Sequence, residues 1–217
     1  LRRPLGFDLT AVHVNHGLNR NADHWEAFCR SVCARRRVPF EAFRVLVEPS
    51  DSVENAAREA RHAVLARQPA RWIVLAHHAD DQAETLLLNL LRGAGIHGLA
   101  GMPETRPYAV SGGASILRPL LAASREQIVS HARASGLDWV VDPSNANSDF
   151  SRNFVRHKLI PGIAERFPGY RATLARAASH LQEVSGLLDA LADSDASAPD
   201  GTSTLSVELL RRLGDVR

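Results

Sequence analysis

The residues best suited to chemistry are concentrated in one stretch, residues 77–85, with the sequence His-His-Ala-Asp-Asp-Gln-Ala-Glu-Thr. Its candidate functional groups are two imidazoles and three carboxylates, on His77, His78, Asp80, Asp81 and Glu84. A cluster of this kind could hold metal ions, so a metal-dependent phosphoesterase is one interpretation. That interpretation requires further ligands at other strand ends, for which the chain offers His13, His16 and Asp142.

The flanking residues predict that this stretch is a strand-to-helix turn. The apolar run of residues 72–76 is typical of a buried parallel strand, and the leucines of residues 86–91 have helical spacing. Gly93 is placed to end that helix. Ligands bind at the carboxyl edge of open α/β sheets, which makes this turn a candidate active site. Asp81 and Glu84 also have the spacing of a capping box, so a purely structural role is the alternative.

Strand and helix patterns alternate along the chain, which predicts an α/β fold with a doubly wound, mostly parallel sheet and a C-terminal helical extension. Strands are expected at residues 9–14, 40–46, 72–76 and 116–121. Helices are expected at about residues 21–36, 51–67, 124–135, 152–164 and 168–191. Residues 103–113 are predicted to be a loop, and the Gly112-Gly113 pair favours a hairpin turn over a phosphate-binding loop because a strand follows it.

Length and composition indicate one sizeable domain and part of another. We expect a catalytic domain over residues 1–193 whose start is missing, a linker over 194–204, and the beginning of a truncated second domain over 205–217. No apolar run approaches the roughly 20 residues of a membrane span. Cys29 and Cys33 have neither the spacing of a redox or metal pair nor that of a disulfide framework, which favours a cytoplasmic protein. A net charge of +2 does not by itself indicate a polyanionic partner.

Six phrases, taken in chain order, resemble the tRNA(Ile)-lysidine synthase family of N-type ATP pyrophosphatases. They are His-Val-Asn-His-Gly-Leu at 13–18, Glu-x3-Arg-x2-Arg at 54–61, the stretch 77–85 with Arg-Gly-x-Gly at 92–95, Leu-Arg-Pro-Leu-Leu at 117–121, Asp-x-Ser-Asn at 142–145 and Arg-Asn-Phe-x-Arg at 152–156. The resemblance implies a Rossmann-like fold of the adenine nucleotide alpha hydrolase type. Two features depart from the family: its SGGxDS phosphate loop is absent from this chain, and His62 replaces a tyrosine. The first departure puts ATP binding by this chain in doubt, and we expect that the chain by itself does not hydrolyse or exchange ATP.

The resemblance implies ligation of L-lysine to C2 of the wobble cytidine in a tRNA(Ile) with a CAU anticodon. ATP would activate the C2 oxygen as an adenylate, with Mg²⁺ assisting the departure of pyrophosphate, and the lysine amine would then displace AMP. No membrane partner is implied, and a homodimer is a candidate assembly.

This reaction assigns a role to each candidate residue. Asp81, with Asp80 beside it, is the candidate Mg²⁺ ligand, and Glu84 or Asp81 is the candidate partner of the substrate ammonium. Arg92 and Arg118 are candidates to stabilise charge on phosphates. Residues expected to contact the tRNA or the other substrates are His77, His78, Arg58, Arg61, Arg118, Asn145, Arg152, Asn153 and Arg156. Arg152 should then lie within about 20 Å of Asp81, the span of one nucleotide site.

Structural roles and other functions remain alternatives. The arginines could make ion pairs, and Asn145 could form an Asx-turn. A tRNA cytidine thiolase of the same ATP group is expected to carry a CxxC pair, which is absent here. A non-catalytic RNA-binding module has no need of the acidic cluster.

Overall fold

The computed structural model describes residues 6–47, 53–108, 113–143 and 151–196, without the side chains of residues 53–55 and 195–196. These residues belong to two compact units. The first unit contains residues from Leu1–Leu75, Thr105–Leu117 and Ala132–Asp142, and the second contains residues from Ala76–Glu104, Arg118–His131 and Pro143–Arg217.

The strands lie in the first unit and are mostly parallel, as predicted. Strand β1 (Ala11–Asn15) is followed by helix α1 (Ala22–Arg35) and pairs in parallel with β2 (Phe40–Arg44). Helix α2 (Val53–Ala66) leads to β3 (Trp72–Val74), which pairs in parallel with β5 (Ser115–Leu117). Among the described residues these strands form two sheets, with the orders β1-β2 and β3-β5-β4.

The predicted loop at residues 103–113 contains a short strand, β4 (Thr105–Pro107), that runs antiparallel to β5. The ladder continues past β4 because the Tyr108 N–H donates to the Ala114 carbonyl at 3.0 Å. The two strands therefore form the predicted hairpin, although Gly112 itself lies outside the described residues. The core of this unit contains Leu65, Ile73 and Ala114.

The second unit is helical. It contains α3 (Ala79–Leu91), the short α4 (Ile96–Leu99), α6 (Ser151–Phe154), a π-helical turn (Val155–Leu159), α7 (Ile160–Arg166) and the long α8 (Tyr170–Ala196). The helix α5 (Arg125–Ala134) contributes residues to both units. As predicted, Gly93 follows α3 with a positive φ of 73°. The core packs Ala83 of α3 against Val155, Ile160 and Tyr170.

Two predicted boundaries change in this unit. Residues 152–164 were expected to be one helix, but the π-helical turn interrupts it and α7 begins at Ile160. Pro161 is tolerated because it lies at the start of α7. Helix α8 continues to Ala196, so helical structure extends past residue 194, where the linker was predicted to start. The domain division stays a prediction, because residues 197–217, including the predicted second domain, lie outside the described residues. None of the described helices is long and apolar enough to cross a membrane.

Candidate active site

The polar stretch of residues 77–85 forms the beginning of α3, and its capping box differs from the predicted one. His78 is the N-cap, and its Nδ1 accepts a hydrogen bond from the Asp81 N–H at 3.4 Å. The Asp81 Oδ2 accepts one from the His78 N–H at 3.0 Å. The box therefore pairs His78 with Asp81 rather than Asp81 with Glu84, because the helix begins at Ala79 and places Asp81 at its third position.

Glu84 is buried beneath two arginines, with 1% of its side chain exposed. Its Oε2 accepts from Arg152 Nε at 2.9 Å and from Arg156 Nη2 at 2.8 Å, and its Oε1 accepts from Arg156 Nε at 2.6 Å. A carboxylate enclosed in this way has cationic partners in place of water. That Glu84 binds the substrate ammonium stays a prediction, and in this arrangement the two arginines occupy its oxygens.

Asp80 is held by other groups. Its Oδ1 accepts from Arg171 Nε at 2.6 Å, and its Oδ2 accepts from the Arg125 N–H at 2.8 Å. Burial by itself would raise the pKa of Asp80, but these two donors outweigh it and the pKa lies below its ordinary value. Arg171 was not predicted as a partner of Asp80, because the sequence does not show which arginine of a long helix meets this carboxylate.

Asp81 also faces cations. Its Oδ1 lies 3.5 Å from Arg156 Nη2 and 4.0 Å from Arg152 Nη2. The expected proximity of Arg152 to Asp81 is thereby confirmed. Within the described part of the chain, no three His, Cys, Asp or Glu side chains are grouped so that they could hold a metal ion. Guanidinium groups lie beside both aspartates. Mg²⁺ needs only one or two carboxylates together with substrate phosphates, so its binding at Asp81 stays a prediction.

Arg118 is buried, with 3% exposure, and its predicted contact with phosphates or tRNA stays a prediction. Its Nε donates to His77 Nδ1 at 3.3 Å and its Nη1 donates to the Pro103 carbonyl at 2.6 Å. Arg118 and Gln82 line a cavity of about 270 Å³ between the first turn of α3 and α8. Gln82 holds the cavity wall through bonds to both backbone groups of Met102.

Arg92 lies at the opposite end of α3 from the acidic cluster, and its predicted role toward phosphates stays a prediction. It follows the last residue of α3, whereas Asp81 lies in the first turn. At a rise of 1.5 Å per residue, the two are separated by about 16 Å along the helix axis. Asn153 is also buried, at 8% exposure, and its predicted contact with the tRNA or another substrate stays a prediction. Asn145 lies outside the described residues.

Arg58 and Arg61 lie in the first unit, where both are exposed on α2. They share a helix face with His62, whose Nδ1 lies 2.6 Å from the Tyr108 hydroxyl.

At the end of β1, burial lowers the pKa of His16, and Arg61 and His13 lower it further. Buried Asn15, which was not predicted, donates to Asp23 and Glu26 and accepts from the Gly17 N–H.

A model of the PP-loop domain matches residues 1–163. The chain belongs to this family. Among its curated PP-loop relatives, tRNA(Ile)-lysidine synthase from Pseudomonas fluorescens is 46% identical, covering 96% of this chain and 49% of the relative. The protein of that name from Nitrosomonas europaea is 42% identical, covering 97% of this chain and 46% of the relative. The predicted resemblance is thus confirmed, and the chain spans about half the length of these relatives.

Among solved structures, the PP-loop chain is similar to the U34-tRNA thiolase NcsA from Methanococcus maripaludis with its [4Fe-4S] cluster. The TM-score is 0.67 at 16% identity, and the match covers 81% of this chain and 63% of the thiolase chain. At this identity the likeness concerns the fold alone, and it agrees with the predicted α/β class.

Proposed function

We propose that the protein carries out ATP-dependent ligation of L-lysine to the wobble cytidine of tRNA(Ile). The observation that carries this proposal is the identity of 42–46% over nearly the whole chain to proteins named tRNA(Ile)-lysidine synthase. Family membership supports ATP as the activating substrate. Lysine as the amine, Mg²⁺ as a cofactor, a homodimer and a cytoplasmic location are parts of the same proposal.

In the proposed reaction, ATP adenylates the C2 oxygen of cytidine and pyrophosphate leaves. The lysine ammonium loses a proton, and the resulting amine nitrogen forms a bond to C2 while the C2–O bond breaks, so that the oxygen departs on AMP and a second proton leaves the nitrogen to solvent. Of the three carboxylates at the start of α3, Asp81 is the best candidate to bind the lysine ammonium. Glu84 is enclosed and Asp80 makes two short hydrogen bonds, whereas the cationic partners of Asp81 lie 3.5 and 4.0 Å away.

The test is incorporation of labelled lysine into tRNA(Ile) by the full-length protein, with AMP release measured in the same reaction. We expect both signals to require ATP, lysine and a cytidine at the wobble position. AMP release that needs sulfide instead of lysine would favour a thiolase. That alternative lacks a CxxC pair, and burial raises the pKa of Cys29, which disfavours the thiolate that sulfur transfer needs.

The phosphoesterase and RNA-binding alternatives are addressed by the same assay. A phosphoesterase would release phosphate without lysine, and it needs a metal site for which the described residues offer no three-ligand group. A binding module would bind tRNA but release no AMP.

A further inference from the structure

The cavity that Arg118 and Gln82 line lies within one unit of the chain and has room for a small molecule. All of its lining residues belong to the second unit. Helix α8 forms one wall with Ala175, Ser179 and Gln182, whose spacing places them on one helix face. The cavity volume is about 270 Å³. Since a water molecule takes up about 30 Å³, this volume is enough for a free amino acid.

Three hydrogen-bond acceptors on the cavity walls have no partner among the described residues. They are the Glu104 carboxylate, the Ser179 hydroxyl and Oε1 of Gln182. The orientation of the Gln182 amide is fixed, because its Nε2 donates to the Ala100 carbonyl at 2.7 Å and Oε1 is therefore the remaining acceptor. A primary ammonium has three N–H donors, so three acceptors of which one is charged match it in number and in charge.

A positive charge lines the same cavity. The Arg118 N–H donates to the Glu104 carbonyl at 2.8 Å, so the two residues lie opposite each other in an antiparallel pair, with side chains on the same face. The Arg118 side chain donates to His77 and to the Pro103 carbonyl, whereas Glu104 has no ion pair with a described residue. A ligand that carries both an ammonium and a carboxylate would therefore meet a charge of opposite sign for each group.

We propose that this cavity binds the α-amino-acid group of the substrate lysine. The α-ammonium donates to Glu104, Ser179 and Gln182, and the α-carboxylate lies toward Arg118. The proposal rests on the proposed function, because that reaction makes lysine a substrate. It makes Glu104 a residue that determines specificity for an amino acid over a simple amine.

The position of the cavity leaves the side-chain ammonium of lysine for the acidic cluster. Gln82, which lines the cavity, directly follows Asp81 in α3. The Cα atoms of these two residues are about 3.8 Å apart, so one lysine molecule spans from the cavity to Asp81. Met102 and Leu121 also line the cavity and supply apolar surface for the methylene chain.

The test compares wild-type and Glu104→Gln full-length protein as binders of lysine and two analogues. Norleucine keeps the α-amino-acid group but lacks the side-chain ammonium, and 6-aminohexanoate keeps the side-chain ammonium but lacks the α-ammonium. Each is titrated in the presence of tRNA(Ile) and an ATP analogue whose bond between the α- and β-phosphates cannot be cleaved. We expect the dissociation constants of lysine and norleucine to rise by about three- to tenfold, since Glu104 is exposed and its ion pair is partly screened. The dissociation constant of 6-aminohexanoate should not change.

Glu165→Gln, the same change at an exposed glutamate of α7, is the control and should leave all three dissociation constants unchanged. Wild-type binding of lysine and norleucine by Glu104→Gln would overturn the proposal. An equal loss for lysine and 6-aminohexanoate would also overturn it, because Glu104 would then hold the side-chain ammonium. Because binding is measured without turnover, Glu104-dependent binding without lysidine formation would count against the proposed function alone. Lysidine formation with an unchanged KM for lysine in Glu104→Gln would count against the cavity alone.

Discussion

Arg156 Nε donates to Glu84 Oε1 across 2.6 Å, and the accepting side chain is 1% exposed. A carboxylate this deeply buried remains charged only if cations and hydrogen-bond donors replace its water. Arg152 and Arg156 together supply three hydrogen bonds to it. Glu84 therefore joins α3 to the helical segment that begins at Ser151, across the contact where Ala83 meets Val155.

Replacing Glu84 with Ala should destabilise the protein strongly. The change leaves two partly buried guanidinium groups without their shared anion, a situation that costs about 3 kcal/mol or more in the free energy of unfolding. Urea unfolding followed by circular dichroism measures the effect. Asp189→Ala, which removes a carboxylate that is 66% exposed, is the control and should cost well under about 1 kcal/mol. Equal losses in the two variants would contradict a structural role for Glu84.

Replacing Asp81 with Asn should remove adenylate formation or lysine transfer but leave the helix intact. The amide oxygen of the new side chain can still accept from the His78 N–H, so the capping box survives. The charge beside Arg156 is lost, and we expect AMP release to fall on the order of 100-fold, as for one strong transition-state contact. The tRNA dissociation constant should change little. Near-normal turnover would leave Asp81 with a capping role only.

Most of the fold could be predicted because local patterns decide it. The apolar run before His77, the leucine spacing after it and Gly93 at the helix end were sufficient to place β3 and α3. The hairpin strand β4 was missed because three residues, Thr-Arg-Pro, carry no alternation and depend on pairing with β5. The π-helical turn was missed because the residues there have the same local pattern as a regular helix; in the structure Val155 and Ile160 pack in the core with Ala83.

The location of the candidate site was predictable, but the partners of its residues were not. Clustering of polar residues after an apolar strand indicated the turn correctly. Which arginine meets which carboxylate depends on contacts between Glu84 and Arg156 that are 72 positions apart in the chain. For this reason Glu84 and Arg118 were expected to face substrates, whereas tertiary packing buries both.

The ion pair of Asp80 and Arg171 should make stability sensitive to acid. Burial raises the pKa of Asp80, but the Arg125 N–H and Arg171 lower it by more, so the folded-state pKa lies below the ordinary value of 3.8. The contribution of a group with a depressed pKa is complete above its unfolded-state pKa and is lost as the pH falls through its folded-state pKa. Asp80→Asn should therefore destabilise the protein at neutral pH, and the difference from wild type should shrink below about pH 4. A constant difference from pH 7 to pH 2, measured by urea unfolding, would argue against this ion pair.

Replacing Arg61 with Gln should raise the pKa of His16. Burial is the main reason that this pKa lies below its ordinary value of 6.5, and the positive charge of Arg61 is the second. The variant should therefore shift the pKa upward while leaving it below 6.5, since burial is unchanged. A histidine with a depressed pKa contributes stability that is complete above its unfolded-state pKa and declines as the pH falls below that value. This acid-induced loss of stability should therefore be smaller in the variant.

Titration of the imidazole signals by NMR measures the pKa directly. Arg35→Gln, at the exposed end of α1, serves as the control. An unchanged His16 pKa in Arg61→Gln would mean that the guanidinium is screened by solvent and does not act on the end of β1.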